Sequence, residues 1–448
     1  MALQEYVKRV EETLAREDGV QLEACLSMDP QAIPGGQHLL EAGLSNAEIE
    51  AVCSAGRRHP PPPVIRSICK EMLLYLQALK NEDAKRAFQH YRGAYRVFVE
   101  DNAFLGYRGG QSGWLLPTLV SMSRGVRILA NETGGGDENA QADVTSLLHT
   151  AFSACLRDRS HDPAESKKQM AMHMAVVLYK HCFKINSLKT CQDLSKVVRG
   201  GTGDAESLAC RADVVGFLFF EGLLLMRSAA NDKDQRAQAE RTLTRALKEC
   251  HRGAAGNRRR ILAHLVPLRM RMGCLPQRGL LEKHGLLIFD DFCTAMREGD
   301  LTRFSVLMRQ HERTLELMDL RPHMEGCRFI VYRQVLRKIV KATGTHIIPL
   351  SVVKLGFVLN GHEFDGDSRG HSVSAEDAEE QETYRYDQLK AALAALITQG
   401  VISGVIRSRD HTLLLSKRSP FPPLPGRSGL GRRGSHPHGG VFGMGRPR

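Results

Sequence analysis

Between Val64 and Glu100 the apolar residues of VIRSICKEMLLYLQALK and AFQHYRGAYRVFVE recur three and four apart, with Asn81-Glu82-Asp83 between the two runs. That spacing puts each set on one face of a helix, and the Asn-Glu-Asp break supplies a turn and a cap, so the segment reads as a helical hairpin. The same pattern returns in QMAMHMAVVLYKHCFKIN (Gln169 to Asn186), DVVGFLFFEGLLLMRSA, RAQAERTLTRALKECH (Arg236 to His251), RRRILAHLVPLRMRMG and LIFDDFCTAMREGDLTRFSVLMRQHERTL. Each such helix needs a neighbour to cover its apolar stripe, and stacked helical pairs make an α-solenoid. The chain is therefore expected to be mainly α. No strict repeat period runs through it, so the array is TPR-like in shape only.

The unit from Leu287 to Leu315 shows the local logic. Phe289, Phe292, Cys293 and Met296 form one stripe, Gly299 can take the left-handed conformation that ends a helix, and Asp300 can cap the next. Leu301, Phe304, Leu307 and Met308 then face back. Three Gly- and acid-rich stretches, ETGGGDENAQAD (132–143), RGGTGDAES (199–207) and NGHEFDGDSRGHSVSAEDAEEQE (360–382), are expected to be solvated insertions.

After the third stretch the pattern changes. YRYDQLKAALAALITQG is an alanine-rich helix with Leu389, Leu393, Leu396 and Ile397 on one face and Gly400 at its end. VISGVIRS and HTLLLSK, joined at Arg409-Asp410, read as a two-stranded hairpin. Upstream, VYRQVLRKIVKA (Val331 to Ala342) and IPLSVVKLGFVLN (Ile348 to Asn360) supply two more helices, the second begun by Pro349 and capped by Ser351. Three helices followed by a hairpin is the order of a winged helix, with VISGVIRSRDHTLLLSKRSPFPPL as its wing.

The run of helical hairpins followed by a winged helix resembles the PCI domain family, whose members include subunits of the proteasome lid, the signalosome and translation initiation complexes. More narrowly, KINSLKTC, NRRRILAHLVPLRMRMGCLP, the EGDL turn, VYRQVLRKI and the terminal VISGVIRSRDHTLLLSKRSPFPPL are similar to the PCI domain-containing protein 2 family, the PCI subunit of the transcription-and-export complex 2 (TREX-2). The likeness runs from about Leu3 to Leu424 and is strongest from residue 176 onwards. It implies a non-enzymatic scaffold in the nucleus. Its expected partners are a larger mRNA-export scaffold with its own PCI domain, a small acidic subunit of the Dss-one kind, the nuclear pore, and RNA or duplex DNA held jointly by paired winged helices. The alternative is a PCI subunit of a signalosome- or lid-like assembly with protein partners only. A lid subunit is expected to continue into a long C-terminal helix, and here the chain turns to proline and glycine. Two features depart from the family's pattern: the acidic insertion, whose carboxylates Glu363, Asp365, Asp367, Glu376, Asp377, Glu379, Glu380 and Glu382 could screen a basic groove, and the chain beyond Leu424.

On this frame the expected organisation is a helical-repeat region over 1–230, the helical part of the PCI domain over 231–326, a winged helix over 327–424 carrying the insertion 360–382, and a disordered Gly/Arg-rich tail over 425–448. A formal net charge of +12 over 448 residues favours an anionic partner. The candidate nucleic-acid contacts are Arg333, Arg337 and Lys338 on the first winged-helix helix, Lys390 on the third, Arg407 and Arg409 near the wing tip, and Lys417 and Arg418 after its second strand. The third helix offers no base-reading set, so charge and shape would drive binding. The same cations can equally be a solvated edge that keeps a hairpin from aggregating. Arg258, Arg259 and Arg260 start a helix, where the macrodipole disfavours positive charge, and suit either an acidic partner or a solvated turn.

PFPPL can be a polyproline ligand for another domain, or can end a strand and lay Phe421 back on its own domain. The glycine- and arginine-bearing tail from Pro425 resembles segments that bind RNA loosely, and His436 and His438 lack the further ligands of a metal site. Trp114, the single tryptophan, is expected to anchor a core or a helix start. The eleven cysteines are spread singly without a CxxC, as small buried hydrophobes of a reducing compartment would be. The opening MALQEYVKRVEETLARED has no signal-peptide core, and the run Val214 to Met226 is too short to span a bilayer and holds Glu221, so no membrane insertion is expected. No phosphate loop or HExxH occurs, the GxSxG match GDSRG (366–370) falls in an acidic loop rather than between a strand and a helix, and neither enzyme chemistry nor a cofactor is expected.

Overall fold

A computed structural model of the chain describes residues 2–42, 44–54, 63–101, 104, 113–133, 137–158, 160, 162–163, 165–201, 203–228, 232–361 and 375–424. The chain forms two compact units, one of residues 1–224 with 248–250, the other of residues 225–247 and from His251 on. Among the described residues there are 21 α-helices and a single three-stranded sheet. None of those helices is long and apolar enough to cross a membrane.

The first unit opens with α1 (Ala2–Ala15), α2 (Gly19–Cys25), α3 (Gly36–Ala42) and α4 (Asn46–Ser54), which surround the hairpin of α5 (Pro63–Lys80) and α6 (Ala84–Glu100). The hairpin turns where its sequence says it should: Glu82 takes φ 55° and the Asp83 carboxylate accepts the Arg86 amide at 3.0 Å. Its buried face stacks Tyr75 on Tyr91, ring centroids 5.0 Å apart. The buried tyrosines Tyr6, Tyr75 and Tyr91 donate their hydroxyls to the Cys25, Met28 and Leu26 carbonyls, so their rings enter the core without orphaning a donor. Each large apolar side chain covered in this way is worth roughly 1.5–3 kcal/mol.

The unit continues through α7 (Leu116–Thr133), α8 (Glu138–Leu156), α9 (Ala171–Lys184), α10 (Leu188–Gly201), α11 (Gly203–Leu208) and the greater part of α12 (Arg211–Ser228). Two of the expected insertions are largely taken up into helices. Thr133 still belongs to α7, and Asp137 caps α8 by accepting the Ala140 amide at 3.1 Å. Residues 199–201 extend α10, and α11 follows at Gly203. Trp114 sits in a 3-10 turn (Gly113–Leu115) that leads into α7, a helix-start anchor.

In the second unit, the greater part of α13 (Lys233–Glu249) and α14 (Ala255–Arg271) lead through α15 (Arg278–Lys283) to α16 (Ile288–Glu298) and α17 (Leu301–Gln310), then α18 (Glu312–Leu317). The α16–α17 turn matches expectation, with Gly299 at φ 69° and Asp300 accepting the Arg303 amide at 2.8 Å. The long α19 (Arg321–Thr343) packs against α14, α16 and α17 and is also the first winged-helix helix.

The winged helix then runs β1 (Ile347–Pro349), α20 (Leu350–Leu359), α21 (Ala375–Thr398), β2 (Gly404–Arg407) and β3 (Thr412–Leu415), in the antiparallel order β1-β3-β2. Here the structure corrects the helix expected over Ile348 to Asn360. Ile348 pairs with Leu413 and Pro349 with Thr412 as a third strand, and the helix starts one residue later, at Leu350. A proline without an amide is tolerated because β1 is an edge strand. Ser351 makes no capping bond. The third helix is longer than expected. It begins at Ala375, so part of the acidic stretch 360–382 is helical. The rest of the insertion, 362–374, and the tail 425–448, with His436 and His438, lie outside the described residues. Ile348, Val353, Phe357, Leu389, Leu393, Leu396, Ile402, Leu413 and Leu415 are fully covered and close the core.

Nine of the eleven cysteines are buried and all are free. Burial pushes the Cys25 thiol up to about 11 and those of Cys155 and Cys293 up to about 12.

Candidate nucleic-acid interface

The wing is a short amphipathic ribbon. Ile406 faces Leu413 and Gly404 faces Leu415 on the core side, while Val405 and Leu414 stand outside with Ile347 beyond them. Arg407 is opposite Thr412 at the end of β2, and Arg409 is in the turn, where His411 takes φ 46°. Because β3 runs back along β2, Lys417 and Arg418 emerge at the base of the ribbon, beside Ser403, whose carbonyl accepts the Ser416 amide at 2.8 Å. At about 3.4 Å per residue, the paired strands separate tip from base by roughly 10 Å. The basic residues thus form two groups rather than one.

All four wing cations are exposed. Arg407 makes only a long contact of 3.9 Å with Asp410, both more than half exposed, a pairing of little energetic consequence. Among the described residues, no carboxylate pairs with Arg409, Lys417 or Arg418.

The base group is continuous with α19 through the proline-rich segment. The Ser403 amide donates to the Pro420 carbonyl at 2.9 Å, so residues 419–424 turn back as a strap along their own domain. Phe421 lies against two guanidinium groups, 5.6 Å from that of Arg333 and 5.8 Å from that of Arg337. At the far end Leu424 is buried. Of the two readings of PFPPL, the structure has the aromatic laid on its own domain.

The sequence candidates on the helices separate by burial. Arg333 is 7% exposed and donates to the Val401 carbonyl, which makes it a post between α19 and the start of the wing rather than a surface cation. Its neighbour one turn on, Arg337, is exposed and has no carboxylate partner among the described residues. Lys338 is exposed but bonded to the Asn360 side chain at 2.9 Å, and half-buried Lys390 is paired with Asp387 at 3.0 Å. Within the acidic stretch, Glu382 pairs with Lys354 across α20 and α21.

Two of the three arginines that open α14 serve backbone carbonyls of neighbouring segments. Arg258 donates to the Leu247 carbonyl at 3.2 Å, in the last turn of α13, and Arg259 to that of Gly285 at 3.4 Å. A cation near the carbonyl end of one helix offsets its unfavourable place at the amide end of another. Arg260 is exposed. Arg297, on α16, drew no attention in the sequence because it is one arginine in an acid-rich helix. Folding brings it beside Arg333 and Arg337, with Gln334 and the strap.

No family model matches the chain. Individual proteins do. It is 27% identical over 356 residues to PCI domain-containing protein 2 of Danio rerio, covering 78% of this chain and 82% of the relative. To PCI domain-containing protein 2 of Xenopus laevis it is 25% identical over 434 residues, 95% of this chain and 98% of the other. A Neurospora crassa protein named Protein CSN12 homolog is 25% identical over 350 residues, covering 71% and 75%. Over most of its length the chain is thus similar to proteins named PCI domain-containing protein 2, and this similarity, joined to a winged helix behind paired helices, supports its reading as a PCI scaffold subunit.

Proposed function

We propose that this protein is a non-enzymatic scaffold subunit of a nuclear, TREX-2-like mRNA-export complex, in which its winged helix sits beside that of a larger PCI scaffold and the two together bind nucleic acid. A small acidic subunit of the Dss-one kind and the nuclear pore complete the expected set of partners. The observation that carries this reading is the wing: exposed Arg409, Lys417 and Arg418 have no carboxylate partner among the described residues. A surface meant only to be solvated does as well with paired charges, whereas uncompensated cations favour phosphates and release their counterions. A second reading, a signalosome-like PCI assembly with protein partners only, draws support from the relatives named Protein CSN12 homolog.

A salt series separates the two. Labelled single-stranded RNA and duplex DNA are titrated with the full chain, alone and with the PCI region of its scaffold. The export reading expects affinity to appear or rise with the scaffold and to fall with salt by three or more contacts, at about −0.7 per contact for single strands or −0.9 for duplex. Changing Arg407, Arg409, Lys417 and Arg418 to Ala should flatten that slope. Absence of binding by the pair, or no effect of the fourfold change, supports the protein-only assembly.

A further inference from the structure

Between the strap, the segment 273–277 that follows α14, and helices α16 and α19 lies a cleft of about 880 Å3. Pockets of roughly 300–1,000 Å3 hold small organic ligands. Arg297, Arg333 and Arg337 line this one, and no aspartate or glutamate does. Arg333 is committed to the Val401 carbonyl, but Arg297 and Arg337 are exposed and unpaired with any carboxylate among the described residues. Its field is positive and uncompensated, and partly enclosing walls concentrate it. The ring of Phe421 lines the same cleft, and the amides of Gln277 and Gln334 offer both donors and acceptors.

We propose that this cleft holds one or two nucleotides of a single-stranded nucleic acid, with phosphate at Arg297 and Arg337 and a base against Phe421. The inference rests on the nucleic-acid reading of the wing and deepens it by naming a site.

Arginines alone would also suit an acidic peptide. What favours a nucleotide is the aromatic ring beside two guanidinium groups, with amide groups alongside, because bases stack on aromatic rings and present edges that amides bond. Strandedness follows from space. A cleft of this volume, lined by a strap held at Pro420 and at Leu424, is sized for one or two nucleotides rather than for a duplex. Lys417 and Arg418 directly precede the strap, so a strand tracking the base of the wing reaches Phe421 without leaving positive surface. Ribose and deoxyribose strands share this chemistry, and the probes below distinguish them.

The test uses the full chain, alone and with its scaffold's PCI region, and four fluorescent probes: a ten-nucleotide oligouridine, the matching oligothymidine, a hairpin duplex and a ten-residue glutamate peptide. Arg297→Ala with Arg337→Ala removes the two exposed cations, and both side chains are on the surface, so the fold should hold. Phe421→Leu keeps the strap's apolar contact and removes only the ring's stacking. The double arginine change should weaken single-strand binding at least fivefold, lower the salt slope by about 1.4, the value of two single-strand contacts, and leave the duplex unaffected. Phe421→Leu should weaken single strands roughly five- to tenfold without altering the slope. A loss for both oligonucleotides supports the site in its shared form, and a loss for oligouridine alone supports a site that also reads the ribose hydroxyl. If the cleft variants bind like the parent while the fourfold wing variant does not, the cleft inference is overturned and the wing reading survives. If the glutamate peptide binds as tightly and is lost in the same variants, the site is a peptide site and the inference is wrong. If the parent protein binds no nucleic acid in either form, both readings fall together.

Discussion

Leu424 rests on Gly273: a methyl group added at Gly273 would stand 2.3 Å from the Leu424 Cδ1, and the glycine backbone there is left-handed, φ 84°. The last described residue of the chain is thus seated on the turn that follows α14, and the seat exists only because that turn has no side chain. Gly273→Ala therefore meets two penalties, a strained backbone worth about 1–3 kcal/mol and the expulsion of Leu424. The expected outcome is a freed strap, read as faster tryptic cleavage between Arg418 and Ser419. Leu424→Ala removes the same contact without backbone strain and should speed cleavage too. Unchanged cleavage in both would mean that the strap is held elsewhere.

Arg333 and Arg337 lie one turn apart on α19 and look alike in sequence, yet they should behave differently. Arg333→Leu removes the donor to a buried carbonyl and one of the two guanidiniums against Phe421, and leaving such a carbonyl unbonded costs about 1–3 kcal/mol. Arg337→Ala, at an exposed position, should cost less than about 1 kcal/mol. Thermal unfolding of the two variants side by side tests this, and equal shifts would contradict the division into post and surface cation.

That pair also marks how far the sequence could be read. Helical hairpins were legible because turns such as Glu82-Asp83 and Gly299-Asp300 depend on the residues that form them. The winged-helix order was legible for the same reason, from the stripe of α21 and the alternation of β2 and β3. β1 was not: Ile347-Ile348-Pro349 has no turn before α20, and proline at a helix start looks the same as proline ending an edge strand. The basic wing could be found from charge alone. The commitment of Arg333 to Val401, and the arrival of Arg297 beside Arg337, depend on contacts 68 and 40 positions apart, and local pattern carries no trace of such distances.

His323, on α19, is 4% exposed, and burial together with the nearby Arg271 charge lowers its pKa to about 4. The unfolded imidazole titrates near 6.5, so between the two values the unfolded chain binds one more proton than the folded one. Stability from this group is whole above pH 6.5 and declines as pH falls to about 4, by roughly 3 kcal/mol at 1.36 kcal/mol per unit. His323→Leu should remove about one proton from the pH slope of unfolding within that window and change little above it. Denaturant unfolding followed by circular dichroism at several pH values measures the slope, and an unchanged slope would sink the assignment.

Glu221 explains itself only in three dimensions. It stands in the apolar run of α12, 2% exposed, and accepts the Tyr179 hydroxyl at 2.9 Å, the Ser195 hydroxyl at 2.9 Å and the Arg199 guanidinium. The carboxylate ties α12 to α9 and α10, and Tyr179, beside it, has its hydroxyl pKa raised well above the usual range by burial and by that negative charge. Removing the acceptor alone leaves two covered hydroxyls unbonded, so Glu221→Ala should cost about 3–5 kcal/mol, whereas half-exposed Arg199 can turn to water. Replacing the buried polar set together, with Glu221→Leu, Tyr179→Phe and Ser195→Ala, should recover much of that loss, because no donor is then left without an acceptor. Trp114 lies in the same unit and is the single tryptophan, so its fluorescence during denaturant unfolding reports this region directly. A triple variant no more stable than Glu221→Ala would show that packing around the carboxylate, rather than its hydrogen bonds, holds these three helices in place.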